Sequence, residues 1–151
     1  MRKIAFVLLA LACCVAAQSE TKCHPVSGGI VTNFTTQSDT LGSATGDLAG
    51  GLGVHVLSQQ PGPGGTVLIT VQHHWVTATG DTLSLDQAVV TGFPTSVPGL
   101  YAVSYLDGVD VKKNGTGAFA GVSGKIYSWG AADFAKGEIV LRYSGQVCRE
   151  Q

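Results

Sequence analysis

The chain carries few charges and no basic tract. Asp, Glu, Lys and Arg make up 13% of its 151 residues, and Lys112-Lys113 is the one basic pair away from the N-terminus. A nucleic-acid partner or an anionic membrane surface calls for a clustered positive field, so neither is expected. Methionine occurs once. The apolar run Ile4 to Ala12 is shorter than the ~20 residues a membrane-spanning helix needs. Nowhere do apolar residues repeat at helical spacing over about a dozen positions. Gly-x-Ser-x-Gly is missing, as are a Lys-Ser/Thr step after the glycines and two carboxylates on one strand face. Those gaps remove the residue-level support for a serine hydrolase, a phosphate-cradling loop and a carboxylate-pair hydrolase.

What is present begins with a processing signal. Arg2 and Lys3 precede the apolar run, and Val15-Ala16-Ala17 fits a small-residue cleavage pattern before Gln18. We read residues 1–17 as a secretory signal peptide and residues 18–151 as one domain. A charged start and a small-residue end fit that reading better than a buried N-terminal helix. The residues before Cys13 and Cys14 match an acylation pattern poorly. After cleavage, seven basic residues face ten acidic ones, and two cysteines remain, Cys23 and Cys148. An even pair in an exported chain is most simply a disulfide, here tying the two ends of the domain together. The expected location is therefore secreted or periplasmic.

Gly is abundant at 21 residues, and Val and Thr are frequent. That composition favours many short strands with glycine punctuation. Thr66 to Thr79 is the strongest strand, with Val67, Ile69, Val71, His73 and Trp75 on one face and Leu68, Thr70, Gln72, His74 and Val76 on the other. Further strands are expected at 29–36, 48–58, 81–91, 100–106, 119–130 and 136–148. In the second of these, Leu52, Val54 and Val56 share a face. In the third, Leu83, Leu85 and Val89 are grouped together. In the fourth, Tyr101, Val103 and Tyr105 are. In the last, Ile139, Leu141, Tyr143 and Val147 are. Residues 18–26 read as a polar lead-in and 40–47 as a turn. QPGPGG at 60–65 reads as a hairpin loop, and 92–99 as a loop around Pro94 and Pro98. Residues 131–137 read as a wide turn or a single helical turn. Asp107-Gly108 and Asn114-Gly115 are tight-turn dipeptides. The segment between them, 109–114, reads as a short edge or loop, and with it the total is about eight antiparallel strands. Sequential hairpins favour an up-and-down order, and the terminal disulfide favours a closed barrel, which removes both open edges.

The run Gly115-Thr116-Gly117-Ala118-Phe119-Ala120-Gly121-Val122-Ser123-Gly124, with the closing Tyr143-Ser144-Gly145, resembles the allene oxide cyclase-like barrel group. That group includes plant dirigent proteins, the cyclases themselves and small secreted bacterial proteins of unknown role. The resemblance implies the barrel fold and, for function, a dirigent-like guide or a cyclase. It transfers no catalytic residue, because what precedes Gly115 does not match. Phe119 is placed to plug a barrel end between the glycines.

The candidate ligand site is aromatic: Trp75, Tyr101, Tyr105, Tyr127, Trp129 and Tyr143, with Arg142 or His74 as a polar anchor. His73 and His74 are adjacent, so they face opposite sides of a strand and cannot line one pocket. They read as ordinary histidines, and the spacing of His24, His55 and Asp86 gives no metal site. Asp107 and Asp110 read as turn caps. Asn33-Phe34-Thr35 and Asn114-Gly115-Thr116 match a glycosylation acceptor pattern. No catalytic residue, metal or cofactor is expected. The leading reading is a non-enzymatic exported barrel that binds a small hydrophobic or aromatic molecule. Two others stay open: a cyclase or isomerase using a buried polar residue such as Arg142 or His74, and a structural or oligomer-forming envelope protein with a filled core.

Overall fold

The computed structural model describes residues 20–110 and 115–151. The signal-peptide reading, Lys112-Lys113 and the second glycosylation match lie wholly or partly outside them. Eight strands form one closed antiparallel barrel in the order β1 to β8. They are β1 (Thr21–Phe34), β2 (Asp39–Ala44), β3 (Gly50–Pro61), β4 (Val67–Thr77), β5 (Thr82–Pro94), β6 (Leu100–Val109), β7 (Val122–Asp133) and β8 (Glu138–Glu150). Among the described residues, no helix is long and apolar enough to cross a membrane.

Closure comes from β1 pairing with β8, from Thr21↔Glu150 to Asn33↔Glu138. Cys23 and Cys148 are direct partners in that ladder and are disulfide-bonded, 125 residues apart in sequence.

Several elements run past their expected bounds. The polar lead-in belongs to β1, because β8 supplies hydrogen-bonding partners back to Thr21. Residues 40–47 are not a turn: Asp39–Ala44 is a short strand between β1 and β3. Strand β5 continues through Gly92 to Pro94, paired with β6. Asp107-Gly108 is no turn either. It lies inside β6, paired with Ile126 and Lys125 of β7. Strand β7 starts only at Val122 and ends at Asp133, whose carboxylate accepts the Ala135 and Lys136 amides in the tight turn to β8.

One end of the barrel is plugged. The β2–β3 connection folds under it as a single 3-10 turn, Gly46–Leu48, and buries Leu48. Trp75 Nε1 donates to the Leu48 carbonyl at 2.8 Å. The Leu48 amide donates to Tyr143 Oη at 2.9 Å, and that hydroxyl donates to the Thr45 carbonyl at 2.9 Å. Trp75 and Tyr143 meet edge to face at 5.2 Å. Gly46 makes the approach possible: its φ is +85°, and a Cβ there would lie 2.2 Å from the Ser27 carbonyl oxygen.

The period-two pattern sets which side chains face the interior, except at two bulges, one at Leu57 of β3 and one on β5. Gln72 pairs with Gln87 and His74 with Ser84, so one extra β5 residue lies opposite His73. The bulge switches the parity of β5. Leu83 and Leu85 face inward before it, and Ala88 and Val90 after it. Val89, grouped with the two leucines on alternation alone, is therefore exposed.

Candidate functional site

The end opposite the plug is open. It is bordered by the β1–β2, β3–β4, β5–β6 and β7–β8 connections. Three aromatic rings stand at this mouth. Phe34 meets Phe134 at 6.1 Å and Tyr101 meets Phe134 at 5.2 Å. Behind the rim lies an apolar slot of about 60 Å³. Ile69, Val71 and Val103 are typical of its wall, which Thr32, Thr40, His73 and Tyr105 also border. Such a slot suits a slender or flat molecule.

The surface of the slot is almost wholly apolar, with buried polar groups close behind it. His73 and Tyr105 stack with centroids 5.0 Å apart and planes 16° apart. His73 Nδ1 lies 3.0 Å from Asp107 Oδ1, with both side chains almost wholly buried, 3% and 2% exposed. The two atoms are close but off the line of a hydrogen bond, and neither has another partner among the described residues. Thr40 Oγ1 is likewise buried without a partner, and Ser128 Oγ lies beside the Tyr105 hydroxyl. Burying a polar group without a partner costs on the order of 1–3 kcal/mol. Of these residues, Thr40 and His73 border the cavity, and Asp107 and Ser128 do not. Burial, with the Asp107 carboxylate second, pushes the Tyr105 phenol far above its usual range.

The backbone is irregular at the same place. The bulge lies opposite His73, and the β5–β6 ladder breaks between Leu85↔Val109 and Thr91↔Ser104. That break spans the part of β6 that carries Tyr105 and Asp107. Bulges of this kind are common beside active sites, where they re-aim a side chain.

The aromatic residues singled out from sequence divide three ways. Tyr101 stands at the mouth and Tyr105 borders the slot. Trp75 and Tyr143 face inward but belong to the plug, where their polar atoms hold Leu48 and Thr45. Tyr127 and Trp129 lie on the outer wall, 46% and 38% exposed, stacked on each other at 5.4 Å. Arg142 and His74 are exposed, and Arg142 borders an outer groove with Trp129 and Ser27. The structure thus brings neither proposed anchor to the slot. His73 takes that position, and its signal was its place on the Val71–Trp75 face. Asp107 was hidden by the Asp-Gly dipeptide, although it continues the alternation of Tyr101, Val103 and Tyr105. Thr40 was hidden in a stretch read as a turn.

No family model matches this chain, and no curated protein matches it. One solved structure does, described as "Structure of the pterocarpan synthase dirigent protein GePTS1". The alignment covers 95% of this chain and 100% of that one, at 13% sequence identity and a TM-score of 0.36. The barrel itself stands on this chain's own strand pairings.

Proposed function

We propose that this chain is an exported barrel that takes up a small apolar or aromatic molecule, as a dirigent-like carrier or guide. The molecule enters between Phe34, Tyr101 and Phe134 and lies in the apolar slot. His73 and Thr40 supply the polar contacts in its wall. One observation carries the reading: an apolar channel that opens on an aromatic mouth and has Thr40 and His73 in its wall. A few convergent polar groups in an apolar cavity are the usual make-up of a small-ligand site. A solid core, as a structural envelope protein would have, leaves no such slot. Export is supported by the N-terminal sequence pattern and by a disulfide suited to an oxidising compartment.

The test is fluorescence titration with 1-naphthol, comparing three proteins. Saturable binding is expected for the wild type. Val103→Phe, which fills the slot, is expected to weaken binding about tenfold or more, since its ring takes the ligand's space. Arg142→Ala, on the outer wall, is expected to leave it unchanged. Binding that survives Val103→Phe but is lost in Arg142→Ala would place the ligand outside and overturn the reading.

A further inference from the structure

The inner end of the slot has the parts of a proton-transfer site. His73 borders the cavity, and its Nδ1 is turned to Asp107, which does not border it. That leaves Nε2 as the ring nitrogen available to an occupant. A carboxylate beside Nδ1 favours the tautomer with the proton on Nδ1 and the lone pair on Nε2. Tyr105 stacked on the imidazole limits its rotation. The Nδ1–Oδ1 pair is close but not aligned, and catalytic hydrogen bonds often tighten only once substrate is bound. Across the barrel wall, Thr40 pairs with Val54 and Val54 with His73. Thr40 and His73 therefore lie in one row two strands apart, roughly 10 Å between backbones, with Val54 between them on the same inward face. A small ring lying over Val54 spans that gap. Thr40 Oγ1, buried and unpaired, is then a hydroxyl donor facing the base.

Resting on the ligand-binding reading above, we infer that the barrel isomerises small apolar β,γ-unsaturated ketones, with His73 as the proton carrier. His73 Nε2 takes a proton from the carbon between the carbonyl and the C=C bond. The C–H pair becomes a new C=C bond, the carbonyl π pair moves to oxygen, and Thr40 donates a hydrogen bond to that oxygen. The protonated imidazole then returns the proton to the γ-carbon. The oxygen pair re-forms the carbonyl, and the C=C bond ends conjugated to it. One proton moves from one carbon to another, no electron is gained or lost, and no co-reactant is needed. Asp107 is a positioning residue, since it touches the imidazole and not the substrate. The apolar wall excludes water and strengthens each of these contacts. This site differs from the Arg142 or His74 arrangement expected from sequence.

The experiment follows conversion of cyclohex-3-en-1-one to cyclohex-2-en-1-one by ultraviolet absorbance, with cyclohexanone binding measured in parallel by NMR. The wild type is expected to convert the ketone faster than buffer. His73→Gln is expected to lose about 100-fold or more of that rate, the size of a general-base contribution. Asp107→Asn is expected to lower kcat about tenfold or more with little change in KM, and to abolish the Nδ1–H signature of His73 in the ¹⁵N spectrum. Thr40→Val, a near-isosteric change on another strand, is expected to lower kcat as well, so the inference stays exposed if one dyad variant does not fold. Circular dichroism checks the barrel in each. Cyclohexanone bound in the slot without conversion above buffer, or conversion that survives His73→Gln, overturns the inference and leaves the binding reading standing. Absence of any binding of cyclohexanone and 1-naphthol overturns both.

Discussion

Tyr105 carries a phenol into the barrel interior, beside a carboxylate and against an imidazole. Burial first, and Asp107 second, make its ionised form costly. In the unfolded chain a tyrosine ionises near pH 10. A phenol that holds its proton more tightly when folded contributes stability that is complete below that value and is lost as pH rises past it. Urea midpoints are therefore expected to fall above about pH 10, and Tyr105→Phe is expected to flatten that decline. Tyr143 shifts in the same direction, also chiefly through burial, so the slope shrinks and does not vanish. An unchanged slope in Tyr105→Phe would show that this phenol does not set it. At this scale the sequence was half legible. Alternation along β4 placed His73 on the Val71 and Trp75 face, and the structure keeps it there. That face was right, but the weight given to His74 was not, since adjacency alone does not say which histidine faces the core.

The elements show where local signals yield to pairing. Asp107-Gly108 has the composition of a tight turn, but ten consecutive partners in β7, Leu100↔Asp133 to Val109↔Gly124, hold it extended. The bulge on β5 is another case: one extra residue moves Val89 to the surface and puts Val90 inside. No composition cue marks it, because Asp86 and Gln87 are ordinary strand-surface residues. The plug beneath the barrel was equally invisible, since it joins Thr45, Leu48, Trp75 and Tyr143 from distant parts of the chain. Its energetics can be tested. Tyr143→Phe leaves the Leu48 amide and the Thr45 carbonyl without their partner. Leaving such groups unmet costs about 1–3 kcal/mol apiece, so a loss of about 2 kcal/mol or more is expected in urea unfolding. Binding of 1-naphthol at the mouth end is expected to persist, because the plug closes the opposite end. Unaltered stability would mean that water replaces the hydroxyl at both atoms.

At the scale of the whole molecule, seven neighbouring strand pairs are local hairpins, and one pairing, β1 with β8, joins the two ends of the barrel. That seam carries the Cys23–Cys148 bond. Cross-linking positions so far apart restricts the unfolded chain, and losing such a bond typically costs about 2–5 kcal/mol. The double variant Cys23→Ser/Cys148→Ser is expected to keep its barrel circular dichroism spectrum, since the thirteen-residue ladder remains, and to unfold at a lower urea concentration by that amount. An unshifted midpoint would leave the ladder alone as what holds the seam. By itself the sequence determined the all-β class, the strand count, the up-and-down order, the terminal disulfide and the inward face of most strands. These depend on period-two alternation, glycine punctuation and the position of two cysteines, all of them local or terminal features. Only the tertiary structure decided that the interior holds a slot, that His73 and Thr40 border it with Asp107 against His73, and that Trp75 and Tyr143 serve the plug. Those facts depend on register between strands and on bulged residues in β3 and β5, and register is settled by partners that a linear pattern does not name.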